Sequence, residues 1–250
     1  MIVAQNSTVD RNAFFFFIAI GGHLVLKSLK NYKPIPDRKP TCLSLPGFLL
    51  PARVPEGETM EQTIAQFRTV VEHCRDLFLK KTADYGTAWR ILRPASITDQ
   101  LYIKALRIRS IEEKGVQKVA DPVGDEFMGL VNYSILALLQ LELPATEPLE
   151  MDRERVSERY NHHLEENLRL LQAKNHDYGE AWRVMRVSSM TDLILQKLLR
   201  IKQIEDHAGQ TLVSEGLEAN YRDIINYAVF ALIRLQEASN KNGVFEDASI

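Results

Sequence analysis

The stretch that most constrains this chain occurs twice. Asp84-Tyr85-Gly86-Thr87-Ala88-Trp89-Arg90 is followed by Ser96-Ile97-Thr98-Asp99, then by Lys104, Arg107, Ile108, Ile111 and Glu112. The same order returns 93 positions later as Asp177-Tyr178-Gly179-Glu180-Ala181-Trp182-Arg183, then Ser189-Met190-Thr191-Asp192, then Lys197, Arg200, Ile201, Ile204 and Glu205. Over 84–112 against 177–205, 16 of 29 positions are identical without a gap, far above chance. Such a duplication predicts a fold built from two like units.

Each unit reads as three helices. In the first, Ile64, Phe67, Val70, Val71, Cys74, Leu77 and Phe78 repeat at i, i+3, i+4, i+7, predicting a helix from Glu58 to Lys81. Gly86 breaks the pattern and Pro94 reads as a stop. Ser96-x-x-Asp99 has capping-box form and predicts a second helix from Ser96 to Lys114, with Gly115 as its C-cap. A strongly apolar third helix follows over 125–142, and the pattern recurs at 152–174, 189–208 and 215–237. No segment alternates with a period of two. The expected fold is all-α: two tandem three-helix repeats packed as a pseudo-symmetric bundle, with the two apolar third helices docked on each other. The expected boundaries are 58–142 and 152–238 for the repeats, 143–151 for the linker and 239–250 for a frayed tail.

Residues 1–57 look different. They hold the apolar run Ala13–Ile20 and six of the chain's ten prolines. The run is shorter than the ~20 residues of a membrane span and has no preceding basic cluster. It reads as a poorly ordered leader or a start-site artefact, with a membrane or secretion signal as the alternative. Cys42 and Cys74 form no CxxC pair and no zinc spacing, so a reducing, cytoplasmic setting is expected. The net charge of −2 argues against a generic nucleic-acid binder but leaves room for a small anionic ligand.

The chemical signal lies downstream of the Asp-Tyr-Gly stretch. Lys104, Arg107, Ile108, Ile111 and Glu112 share one stripe of about 140° on a helical wheel, and the second copy repeats it. Lys and Arg together suit phosphate oxygens, so Lys104, Arg107, Lys197 and Arg200 are candidate phosphate-binding residues. A solvated margin closed by salt bridges is the plainer alternative. Glu126, Gly129 and Asn132 form a second polar line on the third helix, matched by Asn220, Asp223 and Asn226. Glu112 with Glu126, and Glu205 with Asp223, are candidate carboxylates for one Mg²⁺ each. The plainer reading of the line is an interhelical hydrogen bond from the asparagine. Asp84, Tyr85, Asp177 and Tyr178 are candidate substrate contacts. The glycines and tryptophans read as structural, and Asp99 and Asp192 as helix caps. His162, His163 and Glu166 have no counterparts in the first copy and read as a solvated helix face.

The elements K-x-x-D-Y-G-x-A-W-R (Lys81 to Arg90, Lys174 to Arg183), S-x-T-D, K-x-x-R-I-x-x-I-E and the later Asn-Tyr pairs resemble the nucleotide modification associated domain 1 family, in two tandem copies over about residues 60–237. The resemblance implies an association with nucleotide- and base-modifying enzymes rather than a defined reaction. A more distant likeness is to all-α NTP pyrophosphohydrolases of the MazG and dimeric dUTPase type, which hold Mg²⁺ on E-x-x-E and E-x-x-D pairs. This chain has no E-x-x-E on its second helix, and Glu126-x-x-Gly129 and Asn220-x-x-Asp223 are each half of an E-x-x-D. The expectation is therefore a nucleotide-phosphate binder, with Mg²⁺ as the expected cofactor and a metal-dependent pyrophosphohydrolase as the enzymatic form. The alternative is a non-catalytic helical scaffold or partner-binding module. The expected partner is a phosphate-bearing small molecule; the sequence gives no direct evidence for a nucleic acid, a membrane is expected only if the leader is a true signal, and a second copy of the chain is left open.

Overall fold

A computed structural model describes residues 59–117, 121–144, 146–211 and 215–241. The expectations for the leader and for most of the tail lie outside these residues. Helix α1 spans Met60–Tyr85. Its N-cap Thr59 accepts from Gln62 N at 3.3 Å, and its buried stripe is Phe67, Val70, Val71, Cys74 and Phe78. The helix stops at Gly86, whose φ of 58° is open to glycine at little steric cost. A 3₁₀ turn, Ala88–Ile91, leads into α2, Pro94–Lys114. Pro94 starts this helix rather than stopping anything: at the first helical position its missing N–H has no intrahelical partner to lose. Ser96 therefore lies inside the first turn, and no side chain caps the helix. Gly115, left-handed at φ 63°, ends it as expected. Helix α3 spans Val123–Glu142. The second repeat follows the same plan: α4 Arg153–Tyr178, a 3₁₀ turn Ala181–Val184, α5 Val187–Asp206 and α6 Leu217–Lys241.

The centre of the bundle is α3 packed along α6. Leu130, Val131, Ile135 and Leu138 of α3 and Ile224, Ile225, Ala228 and Val229 of α6 belong to one core, all essentially without solvent contact. Helix α2 covers α3, α5 covers α6, and α2 and α5 touch each other along a seam. Two reciprocal pairs build that seam. Thr98 Oγ1 donates to Glu205 Oε1 at 2.8 Å, and Thr191 Oγ1 to Glu112 Oε1 at 2.9 Å. Lys202 Nζ reaches Asp99 at 2.6 Å, and Arg109 Nη1 lies 3.7 Å from Asp192. This is the logic of a two-fold interface, in which residue i meets j and j meets i. The repeated Thr-Asp and Ile-Glu signals are thus how the copies hold each other. Asp99 and Asp192 serve as salt-bridge partners, not caps.

The first helices also cross over. Tyr160 of α4 stacks on Phe78 of α1 with ring centroids 4.6 Å apart, and its hydroxyl donates to Asn132 Oδ1 at 2.6 Å. Asn132 Nδ2 donates to the Cys74 carbonyl at 3.0 Å, so one amide fixes the register of three helices. In the other direction, Thr63 and Gln66 of α1 accept hydrogen bonds from Arg183 Nη2 at 2.7 Å each. The repeats are interlocked halves of one core. Among the described residues no helix is long and apolar enough to cross a membrane.

Candidate functional site

The two Asp-Tyr-Gly segments divide their residues between folding and surface. Arg90 and Arg183 are buried. Arg90 donates to Gln140 Oε1 at 2.6 Å and to the Glu147 carbonyl at 3.3 Å, tying the linker to α3. Thr87 completes that tie: its hydroxyl donates to the Leu149 carbonyl at 2.5 Å and accepts from Met151 N at 3.0 Å. The matching residue in the second copy, Glu180, gathers donors instead. Thr63 Oγ1 at 2.6 Å, Trp182 Nε1 at 2.9 Å and Arg183 Nε at 3.1 Å all point at its Oε2. Trp182 is buried and stacks on Phe230 at 4.3 Å, a structural tryptophan as expected. Trp89 is not its equivalent. Its indole Nε1 is out of contact with solvent but has no hydrogen-bond partner, whereas Trp182 Nε1 donates to the Glu180 carboxylate, which threonine replaces at position 87.

Trp89 instead lines a cavity of about 740 Å³ in repeat 1. The last turn of α1 brings Lys81 and Tyr85 to this cavity, α2 brings Lys104, and α3 brings Glu126, Gly129 and Tyr133. Lys104 Nζ is 3.2 Å from Glu126 Oε2 and 5.7 Å from the centroid of the Tyr133 ring. Arg107 Nη1 bonds the other oxygen of Glu126 and lies 3.9 Å from Asp121. Lys81 makes no hydrogen bond or ion pair among the described residues. The site therefore combines aromatic faces, two lysines and a carboxylate that is already shared by two cations.

The equivalent place in repeat 2 is arranged differently. Asp223 sits between Lys174 and Lys197, with each Nζ 2.5 Å from one of its carboxylate oxygens. Burial pushes this carboxyl up, but the two lysines outweigh it and hold the group below its ordinary value. Arg200 is exposed. Of the four candidate phosphate residues, Lys104 alone lines the repeat 1 cavity; Arg107 closes on Glu126 and Lys197 on Asp223.

Each carboxylate of the expected metal pairs has another partner. Glu112 and Glu205 hold threonines across the repeat seam, Glu126 serves Lys104 and Arg107, and Asp223 serves Lys174 and Lys197. Among the described residues no three of His, Cys, Asp or Glu cluster as metal ligands. A resident Mg²⁺ does not fit these carboxylates, whose charges are already matched by lysine and arginine or spent on hydroxyls. Of the candidate substrate contacts, Tyr85 lines the cavity although 71% exposed, while Asp84 is exposed and lies outside it. Tyr178 is 65% exposed, and Asp177 lies 3.1 Å from its neighbour His176. His163 departs from the solvated-face reading: it is buried beside Glu142, at 3.3 Å, and burial lowers its pKa. From the sequence Trp89 reads as structural, with base stacking as the alternative, and Gly129 only as a member of the polar line; Lys81 and Tyr133 are not candidate site residues there. For Lys81 the signal was present, since a lysine stands three residues before Asp-Tyr-Gly in both copies.

The family model described as nucleotide modification associated domain 1 matches residues 81–141 and 174–235. The two segments run from the lysine before each Asp-Tyr-Gly into the third helix of each repeat. No significant match was found among curated proteins or among solved structures.

Proposed function

Because the protein carries the nucleotide modification associated domain 1 twice, in tandem, we propose that it binds a nucleotide or a related nucleoside phosphate in the cavity of repeat 1. The observation that supports this reading is the convergence there of Tyr85, Trp89 and Tyr133 with Lys81 and Lys104. Aromatic faces take a base of any sequence by stacking, and ammonium groups take phosphate oxygens as point charges. The volume of about 740 Å³ is within the range of small-molecule pockets. Trp89 enters this reading through its ring, which lines the cavity. The reading stops at binding. A Mg²⁺ would enter with the phosphates, which supply much of its coordination, rather than reside on a protein cluster.

The test is thermal unfolding of the full chain with nucleotides and the matching nucleosides, with and without Mg²⁺. A ligand at 100 times its Kd raises stability by about 2.7 kcal/mol, and Trp89→Leu should lower the shift for nucleosides and nucleotides alike. No stabilisation by any nucleotide overturns the reading. A helical scaffold without small-molecule binding is the second reading. It is favoured by the use of Thr98, Glu205, Thr191 and Glu112 in holding the repeats together.

A further inference from the structure

The two repeats place equivalent lysines at equivalent positions. Lys81 and Lys174 stand 93 positions apart, as do Lys104 and Lys197. What differs is the residue of the third helix that faces them. In repeat 2 it is Asp223; at the matching place in repeat 1, counted back from the Asn-Tyr pairs, it is Gly129. A Cβ added to Gly129 would lie 2.9 Å from Lys104 Cδ and Cε and 3.0 Å from its Nζ, so the lysine lies directly over the glycine. Lys81 lines the same cavity, and so does Gly129.

We infer that Asp223 is the chain's own occupant of an anion subsite, and that in repeat 1, where Gly129 carries no carboxylate, an anionic group of the ligand takes this place between Lys81 and Lys104, with Lys104 swinging off the glycine to meet it. In repeat 2 one carboxylate bridges both ammonium groups at 2.5 Å. That contact is a direct template for how two such lysines share an anion. Glu126 does not close the subsite in repeat 1. It lies one helical turn earlier on α3 and turns to Arg107 as well as Lys104, leaving Lys81 without an anionic partner among the described residues. Phosphate and carboxylate oxygens share the required chemistry, two acceptors for two ammonium groups. The inference rests on the nucleotide reading for the identity of the ligand and on the lysine geometry for its position.

The experiment is isothermal titration of the full chain with inorganic pyrophosphate and, separately, with malonate. The parent should bind one equivalent. Gly129→Asp, which gives repeat 1 the plug of repeat 2, should weaken binding at least tenfold. Lys81→Met, an exposed position outside the core, should do the same in a chain whose unfolding is unchanged. Asp223→Gly should bind a second equivalent. Preference for pyrophosphate or for malonate tells which oxygen source the subsite takes, and either supports it. Binding of neither probe to the parent overturns the inference, as does equal binding to the parent, Gly129→Asp and Lys81→Met. A stoichiometry that stays at one in Asp223→Gly also overturns it. Nucleosides binding as well as nucleotides, with both probes ignored, would remove the subsite and spare the nucleotide reading. Probe binding that is lost in the variants, with nucleotides no tighter than pyrophosphate, would do the reverse.

Discussion

Thr98 donates its hydroxyl to Glu205 across the boundary between the two repeats, at 2.8 Å, and it does so from a position with no solvent exposure. Replacing it by valine keeps the shape and leaves a half-buried carboxylate without its donor. Thr98→Val and Thr191→Val should each cost about 1–3 kcal/mol of unfolding free energy. Double-mutant cycles should show coupling for Thr98 with Glu205 and for Thr191 with Glu112, and none for Thr98 with Glu112. Denaturant unfolding measures all three, and coupling within a repeat rather than across would contradict the seam.

The same carboxylates give a pH signature. Burial pushes Glu112 and Glu205 above their ordinary 4.5, outweighing the threonine hydrogen bonds that lower them. The folded chain then holds these protons more tightly than the unfolded chain, so this contribution to stability falls as pH rises from 4.5 through the raised values. Glu112→Gln/Glu205→Gln keeps an oxygen acceptor and removes the charge. Its Tm should exceed that of the parent at neutral pH, with the gap closing as pH drops below 4.5. Asp223 has the opposite sign: its contribution is present above its ordinary 3.8 and is lost as pH falls below that. A Tm gap independent of pH would contradict the assignment.

Arg90 and Arg183 occupy the same place in the motif but have different partners. Arg183 Nε and Nη1 face the carboxylates of Glu180 and Glu237, at 3.1 and 3.0 Å, whereas Arg90 donates to an amide and to carbonyls. Removing Arg183 strands buried charge, so Arg183→Met should cost about 3–5 kcal/mol. Arg90→Met strands only neutral acceptors and should cost about 1–3 kcal/mol. Chemical denaturation of the two variants side by side checks the order.

Cys74 has no solvent exposure, and burial pushes its thiol up to about 12. A thiol held protonated and out of reach is inert. In a Cys42→Ser background, a disulfide reagent should label the native chain only as fast as it unfolds, and at once in denaturant. Rapid native labelling would show that α1 opens locally.

The helices and the duplication were legible because both rest on spacing within one segment. The apolar periods of α1 and α3 placed them to within a few residues, and Gly115 announced its cap. Pro94 misled because proline stops a helix from inside and starts one from its first position, and the sequence pattern around it allows both. The fates of Glu112 and Glu205 were not legible. Their wheel position put them beside Lys104 and Lys197, but the residue each one meets lies 79 or 107 positions away, in the other repeat. Of the two readings open for the third-helix asparagine, the interhelical hydrogen bond is the one found, since a buried amide must find a partner wherever it sits. Gly129 carried its message only by contrast with Asp223, and the contrast had meaning only once the lysines were seen over both.

The reciprocal seam has a consequence for what this molecule can become. Two separate copies of one chain meeting by such a seam would be identical, and any substitution at one site would appear at the other. Here the partners are covalently joined and encoded independently, so glycine at 129 and aspartate at 223 can coexist. One half is free to leave its lysines without a carboxylate of their own at position 129 while the other keeps Asp223 between Lys174 and Lys197.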